Sequence, residues 1–265
     1  MIERLAAGAG LAAVAAAVAV RARALDRSGG IAAFAVGTAI WTAGDWPAAL
    51  VLFAFFVPSV ALSRVGRARK RALVDVGKHG ARDARQVLAN GGIAAACALA
   101  GAFASSPPVA AAFAAAFAGA LAAASADTWG TEIGTLAAKA PRSILSGAEI
   151  PAGLSGGVTL TGTLAECAGA ALVALAAWLL HVAPFGAVLA GGIAGALLDS
   201  ILGASLQELR WCPVCARTCE TDPHVCGTAT TLRRGLGWFG NDAVNFAATF
   251  GGALAACAIA LVTSR

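Results

Sequence analysis

The sequence predicts an all-α integral membrane protein, a polytopic transmembrane helical bundle of about eight spans, with six to eight compatible with the pattern. Its 265 residues are 59% hydrophobic and only 12% charged, whereas soluble domains carry about 25% charged residues. Alanine and glycine dominate, which is typical of closely packed membrane helices. Because no linker divides the chain, residues 1–265 are expected to form one membrane domain, with a cytoplasmic Cys/His loop at 205–238 inside it.

Eight apolar segments approach the length of about 20 residues that a transmembrane helix needs. The first two are short and rich in alanine, and the first is interpreted as a retained span because it lacks the features of a cleaved signal. Tight turns, such as 44–47, alternate with longer polar loops, as an up-and-down bundle requires. The segments cover residues 5–20, 29–44, 47–63, 89–105, 108–124, 155–180, 185–204 and 240–262.

The basic residues predict the orientation of these spans. Of the 19 lysines and arginines, 17 lie in the four loops that follow spans one, three, five and seven. Because positive residues stay cytoplasmic, both termini are expected outside the cell membrane and the four loops inside. The loop 64–85 has two interpretations. In the first, the loop only fixes the topology and contacts anionic lipid headgroups. In the second, its Arg82 and Arg85 also bind a phosphate at the membrane surface.

Two acids, Asp127 and Glu132, follow the alanine-rich fifth span within the stretch 125–134. A charged side chain at bilayer depth costs roughly 2.5–3.5 kcal/mol, so such residues usually face a protein interior and have a function. In a regular helix, residues five positions apart point about 140° away from each other. Both acids can therefore converge on one ligand only if the span ends or the helix breaks, and Gly130 would permit a break.

Later spans carry further polar groups toward the same edge of the bundle. Gly156 and Gly157 are expected to open the sixth span and cradle an anion at a helix N-terminus, although glycine-rich helix packing gives the same pattern. Glu166, Asp199 and Asp242 follow on three separate spans. So many acids in one cavity require cations, and Mg²⁺ prefers carboxylate oxygens. Alternatively, some of these acids form interhelical hydrogen bonds or reach into water.

The last polar loop contains a compact set of soft metal ligands. Four ligands within fifteen residues, spaced Cys-x2-Cys and His-x-Cys, suit a closed tetrahedral zinc site, and Cys219 is a fifth candidate. Disulfides do not persist in the cytoplasm, where the charge pattern places this loop, so a structural zinc clip is favoured over a disulfide. The predicted ligands are Cys212, Cys215, His224 and Cys226.

Several motifs occur together in a specific order: Gln86–Gly92, Ser125–Gly134, Gly156–Thr159 with Gly162 and Thr163, Asp199 and Ser200 with Gly203 and Gln207, the Cys/His loop, and Asn241–Asn245. In this order and spacing the chain resembles domain-of-unknown-function family 92, integral membrane proteins that include phytyl-phosphate kinase and transmembrane protein nineteen. The resemblance covers most of the chain. It implies a Mg²⁺-dependent kinase that converts an isoprenoid monophosphate to the diphosphate with CTP or another nucleoside triphosphate.

Under this hypothesis the catalytic acids are Asp127, Glu132, Asp199 and Asp242, and all but Glu132 hold Mg²⁺. The sequence lacks a glycine loop followed by Lys-Ser/Thr, so it is not a P-loop kinase. The alternatives are nucleotidyl transfer to the lipid, a transporter or cation channel that uses the intramembrane acids, and a scaffold that recruits a partner through its zinc loop. Expected partners are the lipid bilayer, an isoprenoid lipid phosphate and a nucleotide, not nucleic acid. The residues expected to bind substrate or phosphate are Arg82, Arg85, Asn90, Ser125, Thr128, Gly156, Gly157, Thr159, Thr163, Gln207, Asn241 and Asn245.

Overall fold

A computed structural model describes residues 2–66, 70 and 80–263 of the protein. Within these residues, six helices are long and apolar enough to cross a membrane, and a further helix, α3, accompanies them. The all-α architecture that the composition predicts is therefore confirmed. In chain order the helices are α1 (Ile2–Arg21), α2 (Arg27–Leu62), α3 (Ala84–Ala102), α4 (Pro107–Gly134), α5 (Leu160–Leu179), α6 (Phe185–Ser205) and α7 (Asn241–Thr263).

Helix α2 folds back on itself at the predicted turn. Asp45 has a left-handed φ of 57°, which breaks the helix at that point. A straight helix of this length would extend about 54 Å, yet the guanidinium of Arg64, just after its end, donates a 3.0 Å hydrogen bond to the carbonyl of Ala22, just before its start. The two halves of α2 are therefore antiparallel. Together with α3 and the other five helices they make the eight helical segments that the apolar pattern predicts.

Helix α4 is the centre of the bundle and packs against α2, α3, α5, α6 and α7. In its most apolar window 72% of residues are buried, against 39% or less in the other five long helices. Glycines let the neighbouring backbones approach, since a Cβ on Gly119 would lie 2.8 Å from the carbonyl oxygen of Gly252 on α7. The helices thus pack through small residues, as the composition predicts.

The polar loops meet at one end of the bundle. Leu25, between α1 and α2, forms a parallel backbone bridge with Arg82, just before α3. Two short strands, β1 (Arg142–Ser143) and β2 (Gly157–Val158), pair between α4 and α5. A three-stranded antiparallel sheet follows α6, with β3 (Leu209–Cys212) between β4 (Arg217–Cys219) and β5 (Thr231–Arg234).

The polar loops lie at the same end of the bundle, as the charge pattern predicts. The assignment of that end to the cytoplasm stays a prediction. Part of the basic loop on which the assignment depends lies outside the described residues, namely Arg67, Arg69, Arg71 and Lys78. The sheet inside the loop 205–238 was not predicted, because its strands are only three or four residues long, too short to show a clear alternating apolar pattern.

Candidate functional site

A polar cavity of about 460 Å³ lies where the loops meet the helix ends. All four polar loops contribute to its wall, together with residues of α3 to α7. Acidic, basic, amide and hydroxyl side chains face the same space, which is the arrangement expected of a site for a charged ligand. Eleven of the residues that the sequence predicts line this cavity: Arg82, Asn90, Asp127, Thr128, Glu132, Gly156, Gly157, Thr159, Asp199, Asn241 and Asn245.

The remaining five predicted positions do not line the cavity. Arg85 and Thr163 are exposed, and the side chain of Ser125 is fully buried within the bundle. Gln207 is also buried, and its Nε2 donates a 3.0 Å hydrogen bond to a carboxylate of the sheet. Asp242 lies in the first turn of α7 but outside the wall, although its neighbour Asn241 belongs to it.

Two acids from different helices lie next to each other in the cavity wall and form an acidic centre. The Asp127 carboxyl group on α4 lies within hydrogen-bond reach of the Asp199 carboxyl group on α6 and of the Thr131 hydroxyl. The Oδ2 atom of Asp199 is buried, and no nitrogen or hydroxyl donor of the described residues bonds to it. Two carboxyl groups this close cannot both stay charged unless a cation joins them. A proton or a metal ion is therefore required between them.

The sequence leaves open a span end or a helix break at Gly130. Helix α4 has no break there and continues to Gly134, so it ends just after Glu132. Gly130 instead makes room for an acid of α5, since a Cβ there would lie 2.5 Å from Cγ of Glu166 and 2.7 Å from its Oε1. Asp127 and Glu132 diverge, as an unbroken helix requires. Both still line the cavity, but Glu132 forms an ion pair with Lys70. Glu166 joins Asp127 in the wall.

Arg82 is a basic residue of the cavity wall whose charge acts on Asp127 and Glu132. Its backbone is held by two 3.0 Å hydrogen bonds, because its N–H donates to the carbonyl of Ala24 and its carbonyl accepts from the N–H of Asp26. Burial lowers the pKa of Arg82, while the nearby carboxylates of Glu132 and Asp127 act in the opposite direction. The backbone bridge thus places a cation beside two acids.

The glycines Gly156 and Gly157 do not open a helix, which corrects the sequence-based expectation. Gly157 belongs to β2, and α5 begins later, with the Thr159 hydroxyl as its cap on the N–H of Gly162. Gly156 has a φ of 79°, and a Cβ there would lie 2.5 Å from the backbone nitrogen of Ala204 at the end of α6. These glycines are needed because the loop lies directly against α6, although both residues also line the cavity.

Sequence reasoning missed Glu220, which connects the sheet to the cavity wall. Its carboxylate accepts hydrogen bonds from the N–H and hydroxyl of Ser155, at 2.8 and 2.9 Å, and from Gln207. Burial raises the pKa of Glu220, while the Ser155 hydrogen bonds lower it. The sequence analysis also did not single out Lys70, because it is one of many basic residues in its loop. Neither residue belongs to a recognisable local motif, so only tertiary structure identifies them.

The four predicted ligands of the last loop do come together. One atom from each of Cys212, Cys215, His224 and Cys226 lies within 4.8 Å of the others. Hydrogen bonds with Thr228 and His224 lower the pKa of Cys226 to about 6, which favours the thiolate that metals bind. The cluster could hold a metal ion, and its donor set is compatible with Zn²⁺. Cys219 lies outside this group, buried and near the carbonyl of Thr221.

A second cavity, of about 390 Å³ and almost entirely apolar, lies next to the first. It is a groove between α1, both halves of α2 and the start of α3. Arg82, Gln86 and Asn90 line both cavities, so the polar site and the apolar groove meet at these three side chains. The sequence analysis missed this groove, because it depends on how α2 folds back.

The helical bundle and its polar cavity define a polytopic membrane protein with a charged site at one end of its spans. The sequence matches the family described as integral membrane protein DUF92 over residues 10–253, and the chain belongs to that family. The predicted family resemblance and the predicted location in a membrane are therefore confirmed.

Curated relatives are similar over much of their length. Protein PGR of Arabidopsis thaliana is 34% identical over 219 residues, which cover 72% of this chain and 75% of the relative. An uncharacterized membrane protein of Methanocaldococcus jannaschii is 32% identical, with 71% and 77% covered. Another from Synechocystis is 30% identical, with 68% and 70% covered. No solved structure matches the chain.

Proposed function

We propose that the protein is a membrane-embedded, Mg²⁺-dependent kinase that converts an isoprenoid monophosphate to the diphosphate with CTP or another nucleoside triphosphate. The observation that carries this proposal is the junction of two cavities. A polar cavity with clustered acids and cations meets an apolar groove at Arg82, Gln86 and Asn90. A lipid monophosphate likewise has a charged end and an apolar part, since its phosphate needs cations and its tail needs apolar surface.

The acids of the cavity suit the metal that such a reaction uses. Phosphoryl transfer depends mainly on positioning and on neutralising charge, and Mg²⁺ is commonly bound by one or two carboxylates together with phosphate oxygens. Asp127 and Asp199 would hold the ion, because their carboxyl groups are adjacent and one oxygen of Asp199 lacks a donor. Bound there, Mg²⁺ would neutralise charge on the nucleotide phosphates. Glu166 lies beside the pair and Glu132 holds Lys70 in the wall.

The basic residues would bind the phosphates from the loop side. Arg82 is fixed by its backbone bridge at the point where the groove opens into the polar cavity. A phosphate bound there would leave its tail in the groove and present an oxygen toward the acidic centre. Lys70 also lines the cavity, where its ammonium group pairs with Glu132. A second phosphate would share this ammonium group with the carboxylate or displace the carboxylate from it.

The test is a product assay on purified protein in lipid nanodiscs. It combines Mg²⁺, CTP or ATP, and geranylgeranyl or phytyl monophosphate, and it identifies the lipid products by mass spectrometry. We expect the diphosphate from wild type and none from Asp199→Asn. A CDP-lipid product would indicate nucleotidyl transfer instead. Absence of any lipid product from folded protein across donors and chain lengths would refute the proposal, and ion flux in proteoliposomes would then favour the transporter or channel.

We also propose that the Cys/His cluster is a structural zinc clip. The ligands come from the end of β3, from the turn after it and from the segment before β5, so one ion would join two parts of the sheet. The clip would steady Glu220, which follows Cys219 directly and bonds to Ser155 in the cavity wall. Elemental analysis of protein purified without chelator should give about one zinc per chain. Metal content near zero, with all four ligands chemically free, would exclude the clip.

A further inference from the structure

The apolar groove has a defined beginning and end. At its beginning the carbonyl of Arg82 lies so close to α2 that a Cβ on Gly29 would be 2.1 Å from its oxygen. At its other end Trp41 packs on Gly8 of α1, where a Cβ would lie 2.8 Å from the indole Cδ1. Trp41 and Gly8 both line the groove, and they are its farthest lining residues from Arg82 along the first half of α2 and along α1.

The length of the groove can be measured along α2. Gly29 is level with Arg82, and Trp41 lies twelve residues further along the same regular helix. At 1.5 Å per residue this distance is about 18 Å, roughly the length of four extended isoprene units. A tail of this length, bound with its phosphate at Arg82, would end at the indole.

The charges of the groove point to one kind of occupant. Arg82, Gln86 and Asn90 lie at the end that opens into the polar cavity, and the other lining groups are apolar side chains and glycines. A molecule that is anionic at one end and hydrocarbon along the rest complements this surface. A neutral lipid would make no use of the cation at this end, whereas a phosphate would add an anionic partner to Arg82 at the edge of the polar cavity.

We infer that Trp41 sets the maximum tail length of the substrate by closing the far end of the groove. This inference rests on the proposed function and deepens it, because it assigns a residue to substrate selection. Gly8 contributes by leaving room for the indole on the surface of α1. A tail longer than about four units would have to displace the indole, or leave the groove and lose apolar contact at about 0.8 kcal/mol per methylene.

The experiment measures kcat/KM for a series of isoprenoid monophosphates from geranyl to polyprenyl chains longer than geranylgeranyl. In wild type, activity should rise up to geranylgeranyl and then fall. Trp41→Ala should raise the ratio of the longer polyprenyl substrate to geranylgeranyl by about tenfold or more, since several methylenes regain contact. The matched control is Trp46→Ala, which removes an exposed indole outside the groove and should leave the wild-type ratio.

A second variant makes the opposite change. Ala33 lines the groove one helical turn beyond Gly29, so Ala33→Phe should block it near the entrance. Ala33 lies about 6 Å from Gly29 along the helix, less than the length of two isoprene units. This variant should therefore lose both geranylgeranyl and geranyl turnover by about tenfold or more, while it retains turnover of dimethylallyl monophosphate, a one-unit substrate added to the series. An unchanged length profile in both Trp41→Ala and Ala33→Phe would overturn the inference while leaving the kinase proposal intact.

A binding readout separates the two proposals if no product forms. Geranylgeranyl monophosphate with a photoreactive diazirine at its tail end is crosslinked to the wild-type protein in nanodiscs, and the labelled peptides are mapped. Label near Trp41 or Gly8, reduced in Ala33→Phe, would support the groove assignment even if the kinase proposal failed. Label confined to residues outside the groove would overturn it.

Discussion

Replacement of Asp199 tests most sharply whether the acidic centre binds metal. Its carboxyl group lies within hydrogen-bond reach of Asp127, on another helix. Two full charges 4 Å apart repel by about 4 kcal/mol at an effective dielectric constant of 20. Asp199→Asn removes that repulsion without changing shape, so the metal-free protein should keep its stability or gain some. The same change removes a charged ligand, so the response to Mg²⁺ should be lost.

The expected magnitude follows from linkage between binding and folding. A ligand present at 100 times its Kd stabilises the folded state by about 2.7 kcal/mol. For a chain of this size, 1 kcal/mol shifts Tm by roughly 2–4 °C. Saturating Mg²⁺ with nucleotide should therefore raise the Tm of wild type by about 5–10 °C. In Asp199→Asn most of this gain should disappear.

The assay is thermal unfolding in detergent with and without Mg²⁺ at fixed nucleotide concentration, and the matched control is Asp242→Asn. The sequence predicts both acids as Mg²⁺ ligands, but only Asp199 lines the cavity. Asp242→Asn should therefore keep the wild-type shift. Equal Mg²⁺ shifts in wild type and Asp199→Asn would refute a metal site at this pair. Loss of the shift in Asp242→Asn alone would restore the sequence-based assignment.

Three further changes test other parts of the site. Arg82→Ala should lower kcat/KM by about tenfold to a hundredfold, the effect of losing a charged hydrogen bond, whereas exposed Arg85→Ala should stay close to wild type in the same kinetic assay. Cys215→Ser should lower bound zinc, measured by elemental analysis, and Tm together, since metal binding stabilises the fold; normal zinc content would contradict the ligand set. Gly156→Ala should cost roughly 2–5 kcal/mol of unfolding free energy from strain and overpacking. Gly147→Ala, which has a similar φ but open surroundings, isolates the strain in the same denaturation assay.

The fold was predictable because its signals are local. Long apolar segments, small residues and loop charges each act through nearby sequence, and the turn at 44–47 was visible from its glycine, aspartate and proline. The prediction that a helix starts at Gly156 was wrong. A pair of glycines occurs both at helix ends and where two backbones come into close contact, and the sequence does not distinguish these two cases. Only the packing of this loop against Ala204 shows which one applies.

The candidate site was predictable where polar residues interrupt apolar spans. Asp127 and Asp199 were found in this way, since an acid within a membrane helix is costly without a role. Glu220 and Lys70 lie in polar loops, where an acid or a lysine is unremarkable, so their contacts depend on tertiary structure. The sequence shows that Gly130 would permit a helix break, but it does not show that this glycine makes room for Glu166. A glycine looks the same in the sequence in both roles.

Under the proposed function, the separation of polar and apolar regions across the bundle would let one site bind both a lipid and a charged nucleotide. Asp127 lies on α4, the most buried helix, so its position is fixed by packing on several sides. The groove is formed by α1 and α2, whose apolar windows are only 17% and 22% buried. A tail would therefore reach the groove from the exposed side of these two helices, away from the acids on the buried α4. Arg82 connects the two regions, because its backbone is tied to the loop before α2 while its side chain faces the acids on α4.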